Sequence, residues 1–130
     1  MFIDASAIVA MLLAEPDSDH LAEKVERAPT KVTSAIAIWE SITRLSRDHD
    51  PKVARHRVFK LLDDAGASVV TIGTEEARIA SLARDRYGSG KYGLNMGDCF
   101  AYACAKANNV PLLYVGNDFP KTDVNDGYTL

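Results

Sequence analysis

Three short apolar segments constrain the architecture more than anything else in the chain. Phe2-Ile3, the β-branched stretch at residues 68–72 and the run at 112–115 read as strands, and each gap between them has room for helices. Strands separated by helices pair in parallel through right-handed crossovers, with helices over both faces. The expected class is α/β: a three-layer sandwich around a short, mostly parallel central sheet. A further short strand near Tyr128 and Thr129 is expected to close that sheet.

The helices follow from stop and start residues. Residues 6–15 are apolar on nearly every face, and Pro16 ends that helix. Asp17-Ser18 caps a second helix with Leu21, Val25 and Ala28 on one side, closed by Pro29. Thr33-Ser34 starts a third, with Ile38, Ile42 and Leu45 as its stripe and Glu40 beside it. A fourth runs from Pro51 to Ala65, turning Val58, Leu61 and Leu62 inward and Lys52, Arg55, Arg57 and Lys60 outward, with Gly66 as its stop. Thr74 caps a fifth helix that reaches Tyr87. Four glycines within residues 88–97 make a loop, after which Gly97-Asp98 opens a sixth helix to Asn108-Asn109.

At 130 residues the chain is expected to be one domain over 1–130, with enough length for a single core. A net charge of −3 excludes a protein that coats nucleic acid by bulk electrostatics. The longest apolar run, residues 7–14, is too short to cross a bilayer, and no membrane association is expected. The opening Met1-Phe2-Ile3-Asp4 has no basic residue of the kind that begins a secretory signal. Cys99 and Cys104 point apart on one helix and read as buried thiols, so a reduced, cytoplasmic setting is expected.

In an open parallel sheet, ligands bind beyond the carboxyl ends of the strands, and three acids fall there by counting. Asp4 follows the first strand. Asp98 begins the helix after the glycine loop, and Asp118 follows the last strand by way of Gly116. Glu40 joins them if its helix packs across the end of the sheet. Each acid also has a structural reading: Asp4 with Ser6 as a helix cap, Glu40 with Arg44 as an ion pair four residues apart, Asp98 at a helix start, Asp118 in a turn. Together they make a costly cluster that a hard cation, Mg²⁺ or Mn²⁺, would offset. Phosphodiester hydrolysis is the chemistry that such a cluster suits.

Four segments carry a family likeness: Met1-Phe-Ile-Asp4-Ala-Ser6-Ala, Ser34-Ala-Ile-Ala-Ile-Trp-Glu40, Leu94-Asn-Met-Gly97-Asp98-Cys-Phe-Ala-Tyr-Ala and Pro111-Leu-Leu-Tyr-Val-Gly-Asn-Asp118-Phe. In this order the chain resembles the PIN-domain ribonucleases, and among them the VapC toxins of toxin–antitoxin pairs, over essentially its whole length. The resemblance implies a Mg²⁺-dependent endoribonuclease, with Mn²⁺ able to substitute. Asp4 and Asp98 would be the principal metal ligands, Glu40 a ligand directly or through water, and Ser6 a helper that orients Asp4 or the water. Gly116 stands where many members carry their fourth acid, so Asp118 takes that role only if its loop bends back; Asp123 is the poorer candidate.

Charge distribution fits an RNA substrate. Arg44, Arg47, Lys52, Arg55, Arg57 and Lys60 against Asp48 and Asp50 make residues 44–60 locally +4. Arg78, Arg84, Arg86 and Lys91 against Asp85 make 78–91 locally +3. Lys91 and Arg84 are the expected substrate contacts, and Tyr87 and Tyr92 suit either base stacking or packing. The apolar excess on residues 7–14 and around Ile36 and Trp39 suggests a homodimer and a groove for an antitoxin segment. The resemblance implies both, with a VapB-type antitoxin as partner in a heterotetramer or larger assembly. Two rivals are an aspartate-nucleophile phosphatase, whose second Asp is replaced here by Ser6, and a degenerate PIN module that only binds a partner.

Overall fold

A computed structural model describes residues 1–124. The elements run β1 (Phe2–Ile3), α1 (Ala5–Leu12), α2 (Ser18–Arg27), β2 (Val32–Ser34), α3 (Ala35–Leu45), α4 (Pro51–Ala65), β3 (Ser68–Val70), α5 (Thr74–Tyr87), α6 (Met96–Ala107) and β4 (Leu112–Leu113). The described strands form one sheet in the order β3-β2-β1-β4, and every pairing is parallel. The expected α/β sandwich is the observed fold.

Two-residue strands suffice because both faces are buried. Phe2 pairs with Leu112 and Ile3 with Leu113, and the side-chain alternation of strands sends the pairs to opposite layers. Phe2 and Leu112 join a core built largely from α5 and α6, including Ala80, Ala83, Tyr102 and Cys104. Ile3 and Leu113 join the other, built from α1 to α4, including Ile8, Leu21, Val58 and Leu62.

Several expectations are corrected here. Val32–Ser34 is a strand, where the sequence reading starts a helix at Thr33-Ser34. Thr33 Oγ1 donates to the Ile3 carbonyl across the sheet at 2.9 Å. Ser34 ends the strand and caps α3 by accepting from the Ala37 N–H at 3.1 Å. Helix α1 stops at Leu12, short of Glu15, and Arg57 is not simply outward, since its Nη2 donates to the Leu12 carbonyl at 2.6 Å. The apolar run at 7–14 is covered only in its first half: Ala7, Ile8, Val9 and Ala10 are buried within the chain, whereas Leu13 stays 43% exposed. Helix α6 opens one residue earlier than expected, capped by Asn95. The strand expected near Tyr128 and Thr129 lies outside the described residues.

Candidate active site

The carboxyl edge of the sheet opens into a cleft of about 490 Å³ walled by Asp4, Ser6, Trp39, Glu40, Arg44, Arg47, Asn95, Asp98 and Asp118, among others. All four acids singled out from the sequence reach it. No histidine or cysteine is among its lining residues.

Each acid is placed by a local feature. Asp4 leaves β1 and caps α1, and its Oδ2 accepts from the Ser6 N–H at 3.0 Å and the Ser6 hydroxyl at 2.5 Å. The same hydroxyl accepts from the Val115 N–H at 3.0 Å. Ser6 therefore ties Asp4 to the segment that leads to Asp118. Asp98 sits in the first turn of α6 in a reciprocal cap: its N–H donates to Asn95 Oδ1 at 2.8 Å, and its Oδ2 accepts from the Asn95 N–H at 3.1 Å. The capping readings of Asp4 and Asp98 thus coexist with their place in the cleft.

Glu40 arrives because α3 starts directly from β2 and crosses toward α6. Its carboxylate occupies the space where a Cβ on Gly97 would sit. The ion pair with Arg44 that the spacing allows is not formed; among the described residues Arg44 bonds to no acid. Asp118 arrives by a bend. Gly116 has φ +110°, a conformation that side chains disfavour, and Phe119 is buried against Tyr114 with ring centroids 5.0 Å apart. Asp123 goes elsewhere: it accepts from the Tyr102 hydroxyl at 2.5 Å and from Lys106 Nζ at 3.3 Å, on the outside of α6.

The electrostatics are those of acids crowded together. Burial holds the Asp4 carboxyl above its usual range, against the Ser6 hydrogen bonds that pull it down. Glu40 is pushed up to about 7, first by burial and then by Asp4 and Asp98, with Arg44 opposing. Asp98 is raised to about 6, chiefly by burial and further by Asp4 and Asp118, while the Asn95 N–H and Lys121 oppose. Two carboxylates about 5 Å apart repel by roughly 3 kcal/mol at an effective dielectric near 20. Among the described residues, no three acid, histidine or cysteine side chains are grouped closely enough to hold a metal ion as they stand. The donor set is nonetheless oxygen-only and overcharged, which fits a hard divalent ion that keeps part of its water.

The expected substrate contacts do not line this cleft. Lys91 lies over the Tyr92 ring, 5.3 Å from its centroid, and Arg84 lines a neighbouring hollow between α5 and α6 with Met96 and Phe100. Arg44, Arg47 and Trp39 stand in the cleft instead. Their helical spacing from Glu40 was the available signal.

A PIN-domain family model matches residues 1–125. This chain belongs to the PIN-domain family. Ribonuclease VapC42 of Mycobacterium tuberculosis is 37% identical to this PIN domain over 132 residues, covering 99% of this chain and 100% of the relative. Ribonuclease VapC36 of the same species is 39% identical over 127 residues, covering 95% and 91%. Ribonuclease VapC of Mycolicibacterium smegmatis is 39% identical over 127 residues, covering 95% and 97%. Among the described residues of the PIN domain, no helix is long and apolar enough to cross a membrane.

Proposed function

We propose that this PIN domain is a Mg²⁺-dependent endoribonuclease acting as the toxin of a toxin–antitoxin pair. The observation that carries the reading is the meeting of Asp4, Glu40, Asp98 and Asp118 in one cleft at the carboxyl edge of the sheet. Its relatives VapC42, VapC36 and VapC are ribonucleases by name, which supports the same reaction class.

Asp4, Asp98, Glu40 and Asp118 are the residues that would hold Mg²⁺, or Mn²⁺ in its place. Such an ion supplies charge to a scissile phosphate and acidity to a bound water. The chain's own contributions follow from the contacts. Ser6 fixes the Asp4 carboxylate and couples it to the Val115 backbone, so that Asp4 and the Asp118 loop keep one geometry. Asn95 fixes Asp98 by the reciprocal cap. Glu40 closes the cleft from α3, in position to orient a water. Lys91 and Arg84 belong to the outer path of the RNA strand.

A VapB-type antitoxin, a homodimer and a cytoplasmic setting complete the proposal; the resemblance to VapC proteins supports the antitoxin. A module that only binds a partner has no observation in its favour, because Asp118 restores a fourth carboxylate despite Gly116. The test is incubation of the purified protein with total RNA and Mg²⁺, followed by mapping of new 5′ ends. Defined new ends are expected, and intact RNA in both Mg²⁺ and Mn²⁺ would overturn the reading. Expression of the chain alone should also arrest bacterial growth, and Asp4→Asn at equal protein level should relieve the arrest.

A further inference from the structure

Helix α3 brings two adjacent rows of side chains to the cleft. Glu40 and Arg44 form one row, and Trp39, Thr43 and Arg47, four residues apart, form the next; all five line the cleft. Trp39 is the chain's only tryptophan and is 65% exposed. It is not part of the core stripe of α3, which is Ala37, Ile38, Ser41 and Leu45. Most of a flat aromatic face therefore stands open to water in the same cleft as the four acids, available to a ligand that stacks on it.

The neighbouring cations say which ligand. Arg27, Lys60, Arg78 and Lys106 each pair with an acid, and Arg57 is bonded to the Leu12 carbonyl. Arg44 and Arg47 are exposed and make no ion pair among the described residues. A flat aromatic face next to two unpaired guanidinium groups matches an unpaired nucleobase with phosphates on either side. A protein partner docking by apolar contact would want a continuous apolar surface, whereas the cleft neighbours of Trp39 on α3 are Glu40, Thr43, Arg44 and Arg47.

We propose that Trp39 is a base-stacking platform, with Arg44 and Arg47 as a phosphate clamp, and that together they seat single-stranded RNA with its backbone facing Asp4 and Asp98. This rests on the ribonuclease reading and specifies what the site grips: an unstacked base next to the cut. Duplex RNA, whose bases are already stacked on one another, cannot present it.

The test separates binding from cleavage. In chelator and low salt, a labelled single-stranded RNA octamer of mixed sequence is bound while its anisotropy is read, and the unlabelled octamer is titrated against Trp39 fluorescence. The octamer should quench Trp39 saturably with the same midpoint, and the same sequence as a blunt duplex should not. Trp39→Ala should weaken binding about tenfold and Trp39→Phe should recover most of it. An octamer with an abasic backbone should bind wild-type as weakly as the intact octamer binds Trp39→Ala. If the RNA binds by anisotropy while Trp39 emission and the Trp39→Ala affinity are unchanged, the platform is wrong and the ribonuclease reading stands. If Trp39 is shielded from acrylamide in a concentration-dependent dimer, a second copy covers it and the proposal fails. If no octamer binds and no RNA is cut when Mg²⁺ is added, the ribonuclease reading fails with it.

Discussion

The carboxylate of Glu40 on α3 lies against the backbone of Gly97 on α6, filling the space where a Cβ would stand. The obstacle to a larger residue at 97 is thus the far end of a flexible side chain, not backbone. Gly97→Ala should therefore fold well, because alanine favours a helix over glycine by up to about 1 kcal/mol, and Glu40 can swing aside. The cost should fall on function. RNA cleavage should drop at least tenfold, about 1.4 kcal/mol in the barrier, with a melting temperature at or above wild-type. Parallel melting and cleavage measurements check this. A variant as active as wild-type would show that the position of Glu40 is immaterial.

Ser6 should matter in the opposite sense. Its hydroxyl bonds both Asp4 and the Val115 N–H, so Ser6→Ala leaves a partly buried donor unpaired and costs about 1–2 kcal/mol. For a domain of this size that is a fall of about 3–8 °C in melting temperature. Cleavage should fall as well, since Asp4 and the Asp118 loop lose their shared anchor. Thermal melts that match wild-type would count against the bridge.

The two acids near the end of the described chain should separate cleanly. Asp118→Asn should slow cleavage by tenfold or more with little change in stability. Asp123→Asn should do the reverse, loosening the contacts to Tyr102 and Lys106 at a cost of about 1 kcal/mol while cleavage continues. Rates and denaturant midpoints for both variants decide this; a crippled Asp123→Asn enzyme would mean that the bend at Gly116 does not deliver the fourth acid.

Without metal, the site should weaken the fold as pH rises. Glu40 and Asp98 titrate near 7 and 6 in the folded chain, above their unfolded values of about 4.3 and 3.9. Between those limits the folded state holds more protons than the unfolded state, so the stability they contribute is complete below about pH 4 and is lost as pH rises through 6 to 7. After discounting for their partial exposure, about 1 kcal/mol from each is reasonable. Melting in chelator should flatten between pH 5 and 8 in Glu40→Gln and Asp98→Asn, and both variants should melt higher than wild-type at pH 8. A wild-type slope that survives both substitutions would place its origin elsewhere.

The boundaries of α4 and α5 are legible in the sequence because their signals are local: Pro51 and Gly66, whose φ is +69°, bound α4, and Thr74 opens α5, although its N-cap is Gly73 and not Thr74 as expected. Strand β2 is not, because Val32–Ser34 runs into α3 with no intervening turn and Ser34 serves both elements. Asp4 and Asp98 are legible as acids at element ends. Asp118 is legible only as a possibility, since its place depends on the Gly116 backbone and the Phe119 seat on Tyr114, neither of which is a matter of spacing. The basic stretch at 44–60 is legible as a whole, but a local charge count cannot tell Arg57, bonded to the Leu12 carbonyl, from Arg44 and Arg47, which line the cleft.

The central claim is that four clustered carboxylates hold a metal that cuts RNA. It is tested most directly by the initial rate of cleavage of one RNA as Mg²⁺ is titrated from chelator to millimolar, for wild-type and Asp4→Asn. The account predicts a rate that is absent in chelator and saturates with Mg²⁺ for wild-type, and for Asp4→Asn a rate lower by at least tenfold. Cleavage that persists in chelator, or an Asp4→Asn enzyme with the wild-type curve, would contradict it.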